Sequence, residues 1–256
     1  MDFTDFEKEA IKILDSMPKS RSRNCFRSAL QHLEKAHRLL DFDLEMAAFR
    51  AITAEEEAAS GLMYSLKELH YPESENLNPR SHSQKNAVTA FLKAVANMPA
   101  ELQREYHFEF ILEINKNEPK PLLGLAIKNS IHWPDLKARP QPPLGFLATT
   151  DEKVRSFSPY LAELASRHEE KDFKSHIDRL ANFRNKLLYA DEMGIPIIKE
   201  IPPGAIEQWK NHVISLLYGY LLIKPHKEHQ LFVSQLLSSF LVALQKIPIG
   251  DLHPDS

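Results

Sequence analysis

Apolar residues along this chain recur mostly in steps of three and four, the spacing that lines up one face of an α-helix. The pattern predicts helices over 3–16, 24–40 and 43–69. The third, "LEMAAFRAITAEEEAASGLMYSLKEL", carries Leu44, Ala48, Ile52, Ala59, Leu62, Met63, Leu66 and Leu69 on its apolar face. The loop "YPESENLNPRSHS" offers Ser81 or Ser83 as the cap of a fourth helix, which ends near 97–99. Then the period falls to two. "YHFEFILEIN" alternates Phe108, Phe110, Leu112 and Ile114 against His107, Glu109 and Glu113, and "PLLGLAIKN" supplies a return strand, giving a hairpin over 106–129. Such a hairpin is marginal alone, so it must lie on the bundle or pair further. The proline-rich "IHWPDLKARPQPPLGF" reads as an irregular connection, and helices return at 151–167, 169–193, 204–223 and 226–246. The expected fold is mainly α: one helical domain over 1–256, with a hairpin and a proline-rich loop inserted over 100–150.

Three of these helices carry charge where the pattern demands a dry surface. At about 100° per residue, Glu55 falls near the centre of the third helix's apolar face, Glu56 at its edge and Glu57 away from it. The fourth helix's stripe of Val88, Leu92 and Val95 runs back onto Lys85 and His82. The 169–193 stripe of Phe173, Ile177, Leu180 and Leu187 is interrupted by Arg184 and Asp191. A buried unpaired charge costs several kcal/mol, so these groups meet one another or line a wet cleft. Brought together, Arg184 and Lys85 suit a phosphate, with His82 or a carboxylate moving protons. A register-fixing ion pair, Glu55 or Glu56 on Arg184, is the plainer reading of the same pattern.

Composition narrows the classes. Of 256 residues, 43% are hydrophobic and 26% charged, an ordinary globular balance. A net charge of -3 leaves any nucleic-acid binding to a local basic patch. The single Cys25 excludes an intrachain disulfide and fits a reducing compartment, and the longest apolar run, "VISLLYGYLLI", is too short to span a membrane. A cytoplasmic protein without a membrane partner is expected. No dinucleotide glycine fingerprint, phosphate loop or zinc-type Cys/His spacing is present, so neither metal nor cofactor is expected.

"AEEEAASGL" on a long helix, "HSQKNAV" opening the next, and "FRNKLLYAD" late in the chain together resemble the HEPN superfamily, most nearly its AbiV-type abortive-infection branch. The resemblance covers residues 25–98 and 173–223. It implies a HEPN-like bundle, usually a homodimer, that binds RNA or a nucleotide, with a role in bacterial defence or as a toxin with a cognate antitoxin-like partner. Many members cleave RNA without metal, using an Arg and a His separated by four to six residues. Arg184 matches the Arg; Tyr189, Ala190 or Asp191 stands where the His would be. The lysine that often follows the Glu-Glu pair is replaced by Ala59 or Ser60, whereas His82 and Lys85 match a His-x-x-Lys motif. Carried over, Arg184 and Lys85 hold phosphate, Tyr189, Asp191 or His82 handles protons, and Glu55 or Glu56 supports Arg184. The alternative is a non-catalytic interaction module whose buried charges fix the bundle's register.

Overall fold

Small side chains set the centre of the fold. The computed structural model describes residues 1–115, 121–147, 149–150, 153–154, 156, 187, 198, 200–202 and 204–244. Helix α1 (Asp5–Ser16) opens with a capping box between Thr4 and Glu7. Arg23 of α2 (Arg21–Leu39) donates to the Leu14 and Asp15 carbonyls at the end of α1, satisfying acceptors that α1 itself cannot. α2 packs antiparallel on α3 (Leu44–Glu68), whose buried face is rich in alanine: Ala47, Ala48, Ala51, Ala54, Ala58 and Ala59. A Cβ on Gly61 would lie 2.7 Å from the Phe26 ring and 3.0 Å from the Ser22 carbonyl, so any larger residue would force α2 or that ring to move.

α4 (His82–Val95) and α5 (Asn97–Tyr106) lead into an antiparallel sheet ordered β1 (Phe108–Asn115), β2 (Leu122–Asn129), β3 (Trp133–Ala138). Phe110, Leu112, Ile114, Leu123 and Leu125 join the helical core, while Glu109–Lys128 (2.7 Å) and Glu113–Lys137 (2.8 Å) pair on the outer side. The short strands β4 (Thr149–Thr150) and β5 (Lys153–Val154) form a separate antiparallel pair.

α6 (Ala205–Ile223) runs parallel to α3, with Glu55–His212 near one end of the contact and Glu68–Lys224 at the other. Its Leu217 and Leu221 are fully buried, each contributing about 1.5–3 kcal/mol. α7 (Leu231–Ala243) completes the core. The fully buried Gln230 before it fixes three segments. Its amide N–H donates to the Tyr71 hydroxyl, its Nε2 to the Leu222 carbonyl, and its Oε1 accepts from the Leu144 amide.

The mainly α architecture with a packed hairpin agrees with the sequence pattern. Several details differ. Ser20 caps α2, which therefore starts earlier than 24. α5 fills a stretch to which the pattern assigned no element; Pro99 is accommodated because the first-turn amides need no intrahelical partner. "WPDLKA" is a third strand rather than irregular, since it satisfies the outer edge of β2. β5 occupies the start of the expected 151–167 helix. The 169–193 helix lies outside the described residues, except that Leu187 of its stripe is buried. In α6 and α7, Leu231 is the one described large apolar side chain left exposed. No helix among the described residues is long and apolar enough to cross a membrane.

Glu68 joins three helices. It accepts from the Ser22 amide (3.0 Å) and hydroxyl (2.6 Å) and pairs with Lys224 at 2.6 Å. Burial pushes its carboxyl pKa up, but the Lys224 and Ser22 bonds outweigh this and hold it below the ordinary range. Its contribution is therefore present above the unfolded carboxylate pKa, about 4.3, and is lost as pH falls through the lower folded value. Glu68→Gln should cost about 1–3 kcal/mol at neutral pH in urea unfolding. The gap to the parent should narrow as the buffer is taken below pH of about 4; a gap independent of pH would contradict this account.

Candidate functional site

The acidic triplet of α3 sits where the helix becomes enclosed. From Ala58 to Met63 six consecutive residues are buried, because α2, α4 and α6 close around it. Just before that point, Glu55 and Glu56 leave the helix about 100° apart and find different partners. Glu56 is the deeper, 2% exposed. This corrects the order read from the sequence, which put Glu55 at the centre of the buried face and Glu56 at its edge. A single apolar stripe describes a helix covered on one side, and α3 is covered on several.

His82 and Lys85 meet Glu56. Nδ1 of His82 lies 2.9 Å from both carboxylate oxygens, and Nζ of Lys85 lies 3.3 Å from Oε2. A carboxylate only accepts, so Nδ1 carries the hydrogen, and in the neutral ring Nε2 has the lone pair. The imidazole side chain is 39% exposed, whereas those of Glu56 and Lys85 are 3% and 9%. The arrangement is thus a half-exposed imidazole anchored on a buried ion pair.

α3 also positions the segment that delivers His82. Lys67 donates to the Ser74, Glu75 and Leu77 carbonyls at 3.0, 3.0 and 2.9 Å, and Ser60 Oγ bonds the Pro79 carbonyl at 3.1 Å. Gln84 Oε1 accepts from the Asn78 amide, and Ser81 caps the new helix by accepting from the Gln84 amide. His82 is consequently the first residue of α4.

Glu55 turns to a residue that the sequence reading missed. His212 Nδ1 of α6 lies 3.0 Å from its Oε2, both side chains being 15% exposed. Lys93 of α4 is nearby as well: burial lowers its pKa, and the Glu55 carboxylate opposes the shift. His82, Asn86, Thr89 and Lys93 recur at helical spacing along one face of α4. Among the described residues, the buried Asn86 Nδ2 and Thr89 Oγ1 atoms have no hydrogen-bond partner. The signal for His212 was present in α6, where His212, Ser215 and Gly219 form a polar and small line through the apolar C-terminal part of the helix.

Of the sequence-predicted site residues, the structure joins Glu56, His82 and Lys85 and sends Glu55 to a separate partner. Arg184, Tyr189 and Asp191 lie outside the described residues. Burial pushes the Cys25 thiol up to about 11, so it is no thiolate nucleophile at neutral pH. Among the described residues no group of three His, Cys, Asp or Glu side chains is placed to hold a metal ion. No family model, curated protein or solved structure matches the chain.

The Glu56–Lys85 pair makes a stability prediction. Glu56→Gln leaves the Lys85 ammonium buried without its counter-charge and should cost about 3–5 kcal/mol. Adding Lys85→Met should recover most of that loss, because the remaining groups are neutral. Additive losses in a double-mutant cycle would show that the two side chains act independently.

Proposed function

We propose that the chain is a cytoplasmic HEPN-like protein that binds RNA or a nucleotide and cleaves RNA without a metal, in a bacterial defence or toxin-like setting. One observation carries this reading. Glu56 comes from "AEEEAASGL" and His82 and Lys85 from "HSQKNAV", and the three side chains stand within bonding distance. Those are two of the three motifs on which the family resemblance rests. The unpartnered Asn86 and Thr89 groups, next along the same face of α4, add support for a polar ligand.

In this reading Lys85 and Arg184 supply positive charge for a phosphate. Glu56 fixes the His82 tautomer, so Nε2 can take the proton of a ribose 2′-hydroxyl as its oxygen attacks the adjacent phosphorus. The bond to the 5′-oxygen breaks, and Tyr189 or Asp191 returns a proton to that oxygen. The imidazole thereby takes the role of base that the family usually gives to the histidine after the arginine. A homodimer and a cognate antitoxin-like partner belong to the same proposal.

A second reading is favoured by the depth of the pair. With Glu56 and Lys85 almost fully buried, the cluster can act as a register lock in an interaction module. Binding of a fluorescent single-stranded RNA separates the two. The phosphate reading expects affinity to fall steeply between about 50 and 200 mM salt. It also expects the folded Glu56→Gln, Lys85→Met double variant to lose about 1.5–3 kcal/mol of binding. His82→Gln should abolish cleavage in the presence of a chelator while leaving binding in place. Absence of RNA binding at low salt, or binding unchanged in the double variant, leaves the register lock as the function of the cluster. Light scattering at tens of micromolar should give about twice the 29.4 kDa chain mass. The chain mass itself would remove the dimer from the proposal.

A further inference from the structure

α3, α4, α6, α7 and the inner side of the sheet surround a half-open cavity of about 340 Å³. Its wall is aliphatic and aromatic, with Leu66, Phe91, Phe110, Phe146 and Phe232 contributing large faces. Among the described lining residues the only polar side chain is Ser215. Protein interiors pack like organic crystals and contain few voids larger than a water molecule. An apolar cavity of roughly 150 Å³ already takes up a benzene ring, and ligand pockets begin near 300 Å³. The volume here is in the range of a binding site.

Gly219, itself a lining residue, points to the same conclusion. It lies inside α6, where glycine costs about 1 kcal/mol relative to alanine. Its backbone is not left-handed, and among the described residues a Cβ built on it would meet nothing within 4 Å. Gly61 is explained by the Phe26 ring against it; no described neighbour explains Gly219. Its missing side chain instead leaves space along the cavity wall.

We propose that this cavity binds an apolar small molecule, either a free hydrocarbon of about two rings or the acyl tail of an amphiphile. The wall offers almost nothing to a polar headgroup, so such a group stays at the open mouth while the tail displaces water from apolar surface. The site is separate from the Glu56 cluster and does not depend on RNA binding.

Naphthalene and dodecanoate serve as probes of the two sources, with binding to the full chain followed by calorimetry and by the rise in Tm. One-to-one binding of at least one probe is expected. Gly219→Leu and the larger Gly219→Phe should each keep the parent's circular dichroism while filling the cavity. They should weaken probe binding by at least about tenfold. If Gly219→Phe does not fold, Gly219→Leu decides. Binding of naphthalene alone assigns the site to compact hydrocarbons, and binding of dodecanoate assigns it to acyl tails. Failure of both probes to bind overturns the proposal. So does undiminished binding in a folded Gly219 variant, or a change of oligomeric mass in that variant without any probe binding to the parent.

Discussion

A carboxylate that is 2% exposed cannot stand alone, and the neighbourhood of Glu56 is organised around that fact. The ammonium of Lys85 and the Nδ1 of His82 both turn to it from the first turn of α4. They arrive there because α3 holds the intervening loop through Lys67 and Ser60 and because Ser81 starts the helix at the right residue. The same helix thus supplies the charge, the clamp for the loop and the packing surface. Such pairs add little net stability over an apolar replacement, since desolvation cancels much of the attraction. This pair also fixes the placement of the imidazole.

How much of this could be read from the sequence varied with the kind of signal. That the charges of α3 and α4 must find partners was legible, because a charge interrupting an apolar stripe cannot stay unpaired. The pattern assigned the glutamates to Arg184 rather than to His82 and Lys85, and Ser81 and Ser83 were equal candidates for the cap. Which glutamate lies deepest was not legible, since burial on several sides depends on the placement of α2, α4 and α6. The hairpin was clear from its alternation. β3 was hidden by a proline within a short segment, Pro134, and another just past it, Pro140, and only the unsatisfied edge of β2 makes it a strand. His212 was obscured by the hydrophobicity of its own helix. Its partner lies 157 residues away, beyond any local pattern.

The two glycines in the interior show how one residue type serves opposite ends. At Gly61 the lack of a side chain lets two helices approach, and the contact with Phe26 consumes the space. At Gly219 the space remains on the cavity side. Gln230 acts between these extremes as a fully bonded polar core residue, holding α6, the Tyr71 loop and the segment at Leu144 around the cavity. Rigid surroundings of this kind keep an apolar space from collapsing under the packing forces that fill most cores.

The adjacent positions of Glu55 and Glu56 have a kinetic consequence. The Glu56–His82 contact closes a loop of 26 residues, whereas Glu55–His212 closes one of 157. Loop-closure entropy grows with the logarithm of length, so the longer contact carries roughly 1.5 kcal/mol more of that cost before any compensating contact forms. The helices up to α4 can assemble from short-range encounters, and α6 must then dock along a preformed α3 from far down the chain. Neighbouring residues on one helix therefore differ in what their contacts demand of the unfolded chain: Glu56 needs only a short-range encounter, and Glu55 needs the C-terminal helices to reach it across most of the chain.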